Sequence, residues 1–536
     1  MIGLELSLGQ AQRGHPNPQP LADFFRQGTG QHVAIAPGVD GAISLWTELS
    51  ANHAAWMQLD NNAPTTRLSW RETLVMELRN IYPISDFALS SGWSQLQSSG
   101  SGLSGSYTGN RAVSTSSVTA TADVTVDRAA PYDVWVHYTS RTSGGYVKVE
   151  IDGSQTLVNE IDDPAGLGFK AFASYSATDL QRRQSSKVAS CLTGSHDITI
   201  SNGGAASPGG NAIMIEAVGI TGTLADPKIL PPIWQPGTTY AMGDEVQMGG
   251  LYYSARGNGV SGTNGPTHTG GIASDGALDW RVDDRPTYPH FVAIDYASER
   301  EYAMRFASEG SATELGGQTH GHEVLQSRVI HLDGAAWTPA TTGNGLSVGN
   351  QLSIVEDMSW ERQLGGSIGT CQLTRTITPG SAYHNVSATG TGPEVTFEWF
   401  YAGMLPMVHW DGESRSEVFD GVSAPLTAPV LLSDYAGVNP PNVDFPDAQR
   451  LGLSTSLQQG ALVYGHEAGA LPGAGNVVSE FDAFLRPNLN ASTASGGLDW
   501  QAKAYIAGAA PGGMTFGNGD TLQFFSRHVM RMDYGV

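Results

Sequence analysis

Val118-Thr119-Ala120-Thr121-Ala122-Asp123-Val124-Thr125-Val126, then Tyr132-Asp133-Val134-Trp135-Val136-His137-Tyr138, then Tyr146-Val147-Lys148-Val149-Glu150-Ile151 closed by Asp152-Gly153, is the stretch that decides the fold. Apolar and polar residues alternate with period two, so one set of side chains faces a core and the other faces water. Asp-Gly after the third run signals a hairpin, because both turn residues must take positive φ. His196-Asp197-Ile198-Thr199-Ile200 and Ala212-Ile213-Met214-Ile215-Glu216-Ala217-Val218 continue the series. Short strands with turn residues between them predict a β-sandwich over residues 85–222.

The rest of the chain agrees with a mainly β, multi-domain protein. Glycine makes up 67 of the 536 residues, with no three-residue period, so collagen is excluded. Heptads are absent, which excludes a coiled coil. Lys and Arg number 28 against 51 Asp and Glu, a formal charge of −23. Such a chain is not built to replace counterions on nucleic acid or to bind an anionic membrane surface. No apolar run is long enough for a transmembrane helix. The opening MIGLELSLGQAQRGHPNPQP has no basic segment followed by an apolar one, so no secretory leader is expected. Cys191 and Cys371 fall in different predicted modules, which argues against a disulfide framework or a structural zinc site.

Four segments follow from composition. Residues 1–84 read as an irregular N-terminal region with helical spacing around 20–27 and 70–80, where Leu74, Val75 and Leu78 recur. Residues 85–222 are the sandwich. Pro227, Pro231 and Pro232 stiffen a linker into a small unit, 223–285. Residues 286–536 are again strand-rich, as in Cys371-Gln372-Leu373-Thr374-Arg375-Thr376-Ile377, and predict a large double-layer β-sandwich.

The order of motifs in 85–222 resembles the jelly-roll carbohydrate-binding modules and their galactose-binding-like relatives. It runs from Gly92-Trp93 through Gly105-Ser106-Tyr107 and Pro131-Tyr132-Asp133-Val134-Trp135-Val136 to Gly194-Ser195-His196-Asp197. That resemblance implies that Tyr132, Val134 and Val136 are core. It also raises a structural calcium, for which Asp162 and Asp163 are the candidate ligand pair, with a solvated acidic loop as the plainer reading. No other cofactor is implied.

In 223–285, Trp234-Gln235-Pro236-Gly237 leads to Tyr240, Gly243-Asp244-Glu245-Val246, Gly250-Leu251-Tyr252-Tyr253 and a terminal Trp280. The pattern resembles small, three-stranded chitin-binding-like modules, which recur in bacteriophage tail fibres. Trp234, Tyr240, Tyr253 and Trp280 are the candidate glycan contacts, since sugar CH faces stack on exposed rings. The competing reading makes them the core of a module too small to have another.

The C-terminal segment offers Thr319-His320-Gly321-His322-Glu323, with His331 and Asp333 beyond it. On a strand, His320 and His322 share a face and with Glu323 form a set suited to a divalent metal or to acid–base chemistry. Tyr383-His384 is the Tyr/His pairing that β-eliminating lyases use, and Gly465-His466-Glu467 and His409-Trp410-Asp411 are looser sets. Each also reads as ordinary hydrogen-bonded or solvated side chains. No hydrolase elbow, zinc-protease helix or phosphate-binding loop occurs.

Together these features resemble a bacteriophage or phage-like fibre, spike or receptor-binding protein. The resemblance implies a virion location and host-cell surface polysaccharide as partner. It also implies contacts with other virion proteins through 1–84 and a homo-oligomer, with a trimer favoured. A polysaccharide depolymerase with accessory binding modules, and a structural decoration or spacer protein, remain open alternatives.

Overall fold

The computed structural model describes residues 29–533 apart from 39–40, 63–66, 98–109, 115–119, 156–157, 159–160, 162, 164–167, 176–181, 207–209, 224–231, 242–243, 250, 270, 284–290, 296–300, 308–313, 317–321, 340–345, 363–364, 410–415, 421–429, 432–442, 446–449, 458–459, 472, 474, 488–498 and 509–512. Among these, secondary structure is nearly all strand, with a 3₁₀ turn at Ile84–Asp86. The mainly β, multi-sheet architecture read from the alternation is therefore what forms.

The chain divides into two units: Glu77–His290, and a discontinuous one made of Met1–Met76 with Phe291–Val536. This corrects the expected boundaries. Val33–Pro37, Ile43–Ser50, His53–Asn62 and Arg67–Glu77 do not form a separate N-terminal body. They build a six-stranded sheet edged by Phe291–Asp295 on one side and Ser347–Gly349 on the other. Arg79–Pro83 instead pairs with Ile213–Thr221 in the second unit. The helix expected over 70–80 is likewise replaced by the strands Arg67–Glu77 and Arg79–Pro83. Arg67, Leu68, Ser69 and Trp70 are all buried, and a strand covered on both faces loses the strict alternation that distinguishes it from a helix. The helix expected over 20–27 lies outside the described residues.

In Glu77–His290, the runs 118–126 and 132–138 are not two strands but one, Thr121–Ser140, paired along its length with Arg182–Asn202. Register shifts between Lys187 and Ala189, Ala189 and Leu192, and Leu192 and Gly194 break this ladder. Cys191 and Gly194 there take positive φ of 57° and 85°. Bulges of this kind bend a strand, so this long pair curves within its nine-stranded sheet. Tyr132, Val134, Val136, Val147, Val149, Ile198, Ile200, Ile213 and Ile215 fill the core, as the alternation required. Tyr146–Ile151 lies toward one edge, between Arg182–Asn202 and the edge strand Ala171–Ala173. Asp152 and Gly153 both have positive φ, the conformation their hairpin turn demands.

The main sheet of the small module within this unit has four strands rather than three. Their order is Glu245–Met248, Leu251–Ala255, Leu278–Asp283, Ile272–Asp275, with a separate Thr239–Tyr240/Gly259–Val260 pair.

The discontinuous unit is a large sandwich. A ten-stranded antiparallel sheet runs in the order Ala335–Ala336, Glu323–Leu332, Leu352–Glu361, Ser367–Thr378, Ser381–Gly390, Thr521–Asp533, Gly460–Ala470, Arg450–Leu457, Ser416–Asp420, Val430–Leu431. The six-stranded sheet already described and a seven-stranded sheet containing Ala303–Phe306 and Val395–His409 pack against it. One hydrophobic core, including Leu45, Trp70, Phe306, Trp360, Leu373, Phe397 and Phe524, joins all three. In Leu352–Glu361 burial alternates perfectly, with Leu352, Ile354, Glu356, Met358 and Trp360 facing inward. A carboxylate therefore sits in the apolar row.

Candidate functional site

The four aromatics of the small module do not form a sugar platform. Trp234, Tyr240, Tyr253 and Trp280 are 8, 8, 1 and 0% exposed and constitute the module's core with Val246, Ala255 and Leu278. Tyr240 meets Trp280 edge-on at 5.1 Å, and the Tyr253 hydroxyl donates to the His268 carbonyl at 2.9 Å. Burial raises the Tyr253 hydroxyl pKa to about 12. The reason is size: four short strands have little else to bury, so the large rings go inside.

The candidate calcium pair is described at one of its two positions. Asp162 lies outside the described residues, and the Asp163 carboxylate accepts the Gly168 N–H at 2.7 Å. Gln155 holds the next residues by accepting from Lys170 N at 3.1 Å and donating to Lys170 O at 3.0 Å. These bonds hold Gly168 and Lys170 on either side of Phe169. Gly203 makes room for that ring: a Cβ there would stand 3.0 Å from Phe169 Cε2 and 3.1 Å from Tyr146 Cβ.

Tyr146 is half-buried on the outward face of its strand, followed two and four residues on by Lys148 and Glu150. The Lys148 ammonium lies 5.8 Å from the centroid of Phe169 and 2.9 Å from Glu150. Two half-buried rings beside a paired cation and carboxylate offer apolar CH contact and hydrogen bonding on one small surface. Alternation in 146–151 already placed Tyr146, Lys148 and Glu150 outward. Phe169 had no sequence signal, because a loop residue is positioned by partners that periodicity does not report.

In the large sandwich the sequence candidates go inside. His320 lies outside the described residues. His322 is not on a strand: it precedes Glu323–Leu332 with a φ of 75°, so the shared strand face expected with His320 does not form. Glu323 is buried. It accepts from Tyr302 and Trp360, and its Oε2 is 2.5 Å from Arg67 Nε. Arg67 Nη1 reaches Glu301 at 2.6 Å, and Arg375 bridges Glu301 and Glu356, each at 2.6 Å. Glu356 also accepts from Leu68 N and pairs with Arg328. Burial by itself would raise the Glu301 pKa, but Arg375 and Arg67 overcome that and hold it at about 2. Glu323 goes the other way: burial pushes its pKa up and Arg67 offsets only part of the rise.

His384 sits opposite Arg375 in the neighbouring strand and contributes to the field on Glu301. With His528 it flanks Trp70, each ring centroid 5.4 Å away. His528 Nδ1 is 3.1 Å from His466 Nδ1. A polar band thus crosses the core, bringing together Glu323, His384 and His466, three residues singled out separately in the sequence. All three are buried. The band is an internal tie between sheets and not a substrate-facing catalytic set. Tyr383 points to the opposite, outward face from His384, so the Tyr/His pairing is not a functional pair either. His331 lies on its strand and Asp333 just after it, where its carboxylate accepts from the backbone of Asn350 and Gln351. The Trp410 and Asp411 positions lie outside the described residues. Among the described residues no group of three or more His, Cys, Asp or Glu is gathered as a metal site.

No family model and no curated protein matches this sequence. Solved structures with partial likeness include the GH36 alpha-galactosidases AgaA, in complex with raffinose, and AgaB, both from Geobacillus stearothermophilus. Each is 10% identical, with TM-scores of 0.25 and 0.24, covering 43% of this chain and 30 and 29% of theirs. The GH87 alpha-1,3-glucanase catalytic unit from Streptomyces thermodiastaticus is 13% identical with a TM-score of 0.18, covering 31% of this chain and 29% of its own. This chain therefore spans less than a third of each, and overlaps this shallow say nothing of a shared activity.

Proposed function

We propose that this protein is a glycan-binding adsorption protein of a bacteriophage-type particle, a fibre or spike that holds host-surface polysaccharide through the outward face of its jelly-roll module. The observation that carries the reading is the surface of Tyr146, Phe169, Lys148 and Glu150, with its ring-bearing loop tied by Asp163 and Gln155. Rings stacked on neutral sugar contribute roughly 1 kcal/mol per good contact, by analogy with aromatic pairs. A chain of net charge −23 gains nothing from anionic sugars, so neutral residues fit best. Contacts this weak call for several copies, and a homotrimer in the virion supplies them. Calcium enters the proposal only as an ion that a chelator would remove without loss of binding.

Affinity electrophoresis of the full chain through gels containing dextran, galactomannan or glycogen tests this. Retardation is expected, with loss on Tyr146→Ala or Phe169→Ala. Shortening of the polymer by the purified chain would instead favour a depolymerase. Unretarded migration in all three gels would leave a spacer. Mass measurement in solution tests the trimer, and recovery of the chain with purified particles tests the virion location.

A further inference from the structure

We propose that the outward face of the ten-stranded sheet is a second contact surface for neutral polysaccharide, centred on Tyr383 and Phe525. This rests on the glycan-binding reading and adds a site to it. Tyr383 and Phe525 stand on neighbouring strands, half-buried, with centroids 5.8 Å apart and planes 16° from parallel. Burying one face of such rings against the sheet leaves the remainder as an apolar step for sugar CH groups.

Hydrogen-bonding groups line the next row. Asp357, Gln372, Ser387 and Gln523 lie opposite one another across four consecutive strands. Gln372 Nε2 donates to Asp357 Oδ1 at 2.9 Å, and Gln523 Nε2 donates to Ser387 Oγ at 3.1 Å. Strands lie about 4.8 Å apart, so this row offers a ladder of amide and hydroxyl groups roughly 14 Å long beside the rings. Preformed side-chain hydrogen bonds hold these groups in place, which lowers the ordering cost of binding a hydroxylated chain.

The charges select the occupant. Gln372 and Ser327 donate to Asp357 and hold its pKa down. Arg527 lies opposite Glu467, Nη1 to Oε2 4.0 Å, with side chains 32 and 13% exposed. The charges on this strip are thus engaged with one another or with neighbouring donors. A polyanion would find no net positive field and would meet the repulsion of the chain as a whole. A neutral hexose polymer needs no counter-charge and uses both the rings and the ladder.

The test is affinity electrophoresis of the full chain in dextran, galactomannan and glycogen gels, with Tyr383→Ala, Phe525→Ala and Gln372→Ala beside Tyr146→Ala. Gln372 is exposed, so its variant keeps the test valid if an aromatic variant misfolds. Each variant is expected to weaken binding about fivefold, the change that about 1 kcal/mol produces. If wild type is retarded and Tyr146→Ala weakens it while Tyr383→Ala and Gln372→Ala leave it unchanged, this second surface is overturned and the first stands. If wild type migrates freely in every gel, the glycan-binding reading falls and this surface with it.

Discussion

Replacing Glu301 with Gln removes one charge from the centre of the buried network and keeps the side chain's shape. Arg67 and Arg375 would then each face a neutral amide. The Glu301 pKa falls from its ordinary 4.5 to about 2 in the folded chain, a difference of about 2.5 pH units, worth about 3 kcal/mol. Breaking a buried pair costs about 3–5 kcal/mol in other proteins, so the two figures agree. The sign follows from the direction. A carboxylate with a depressed folded pKa stabilises fully above its unfolded value and stops doing so as pH falls through the folded value. Wild type should therefore lose its advantage over Glu301→Gln between about pH 4.5 and about pH 2. Cys371 supplies the assay, because it is a free thiol buried in the same unit. In a Cys191→Ser background, its modification during urea unfolding reports the opening of this unit alone. A gap below about 1 kcal/mol at neutral pH, or one that does not narrow on acidification, would refute the argument.

Other expectations follow from single contacts. Thiol labelling of the native chain should modify one cysteine, the exposed Cys191, and two after denaturation, since burial raises the Cys371 pKa and shields it. Trp280→Ala should cost the small module about 3–5 kcal/mol, seen as proteolytic cutting within 232–283, and not act as a loss of ligand alone. Gly403→Ala should destabilise by about 1–3 kcal/mol in the same Cys371 assay, since its Cβ would lie 2.7 Å from both His466 Cε1 and Ser526 Oγ. Gly203→Ala should weaken retardation in the polysaccharide gels while leaving the urea midpoint nearly unchanged, because Phe169 would have to move.

The strands were legible wherever one face met water. In 146–151 the alternation assigns every side chain to its observed face. It was blind where both faces are covered, which is why Arg67–Glu77 looked helical. The buried network was half visible. Glu356 and Arg375 occupy inward positions of strongly alternating strands, which already marks a charge without access to water. Their partners were not visible: Arg67 and Glu301 are separated by 234 positions, and no local pattern links them. The aromatic platform failed for a related reason. Residue type shows that a ring can stack on sugar, and only packing shows whether it is outside.

Met76 and Phe291 are partners in one antiparallel ladder, with Val75 opposite Val292 beside them. In covalent terms, everything from Glu77 to His290 is the loop of a β-hairpin. Closing a loop that long costs little more than closing a short one, because the penalty grows only with the logarithm of length. It does change timing. During synthesis, the first four described strands of the large sandwich emerge before their neighbour Phe291–Asp295 exists, while the intervening β unit can complete itself in the interval. Removing 1–84 would therefore not trim an appendage from this protein; it would take away most of one wall of its largest domain. Excising 77–290 and joining the ladder with a short turn should leave that domain able to close.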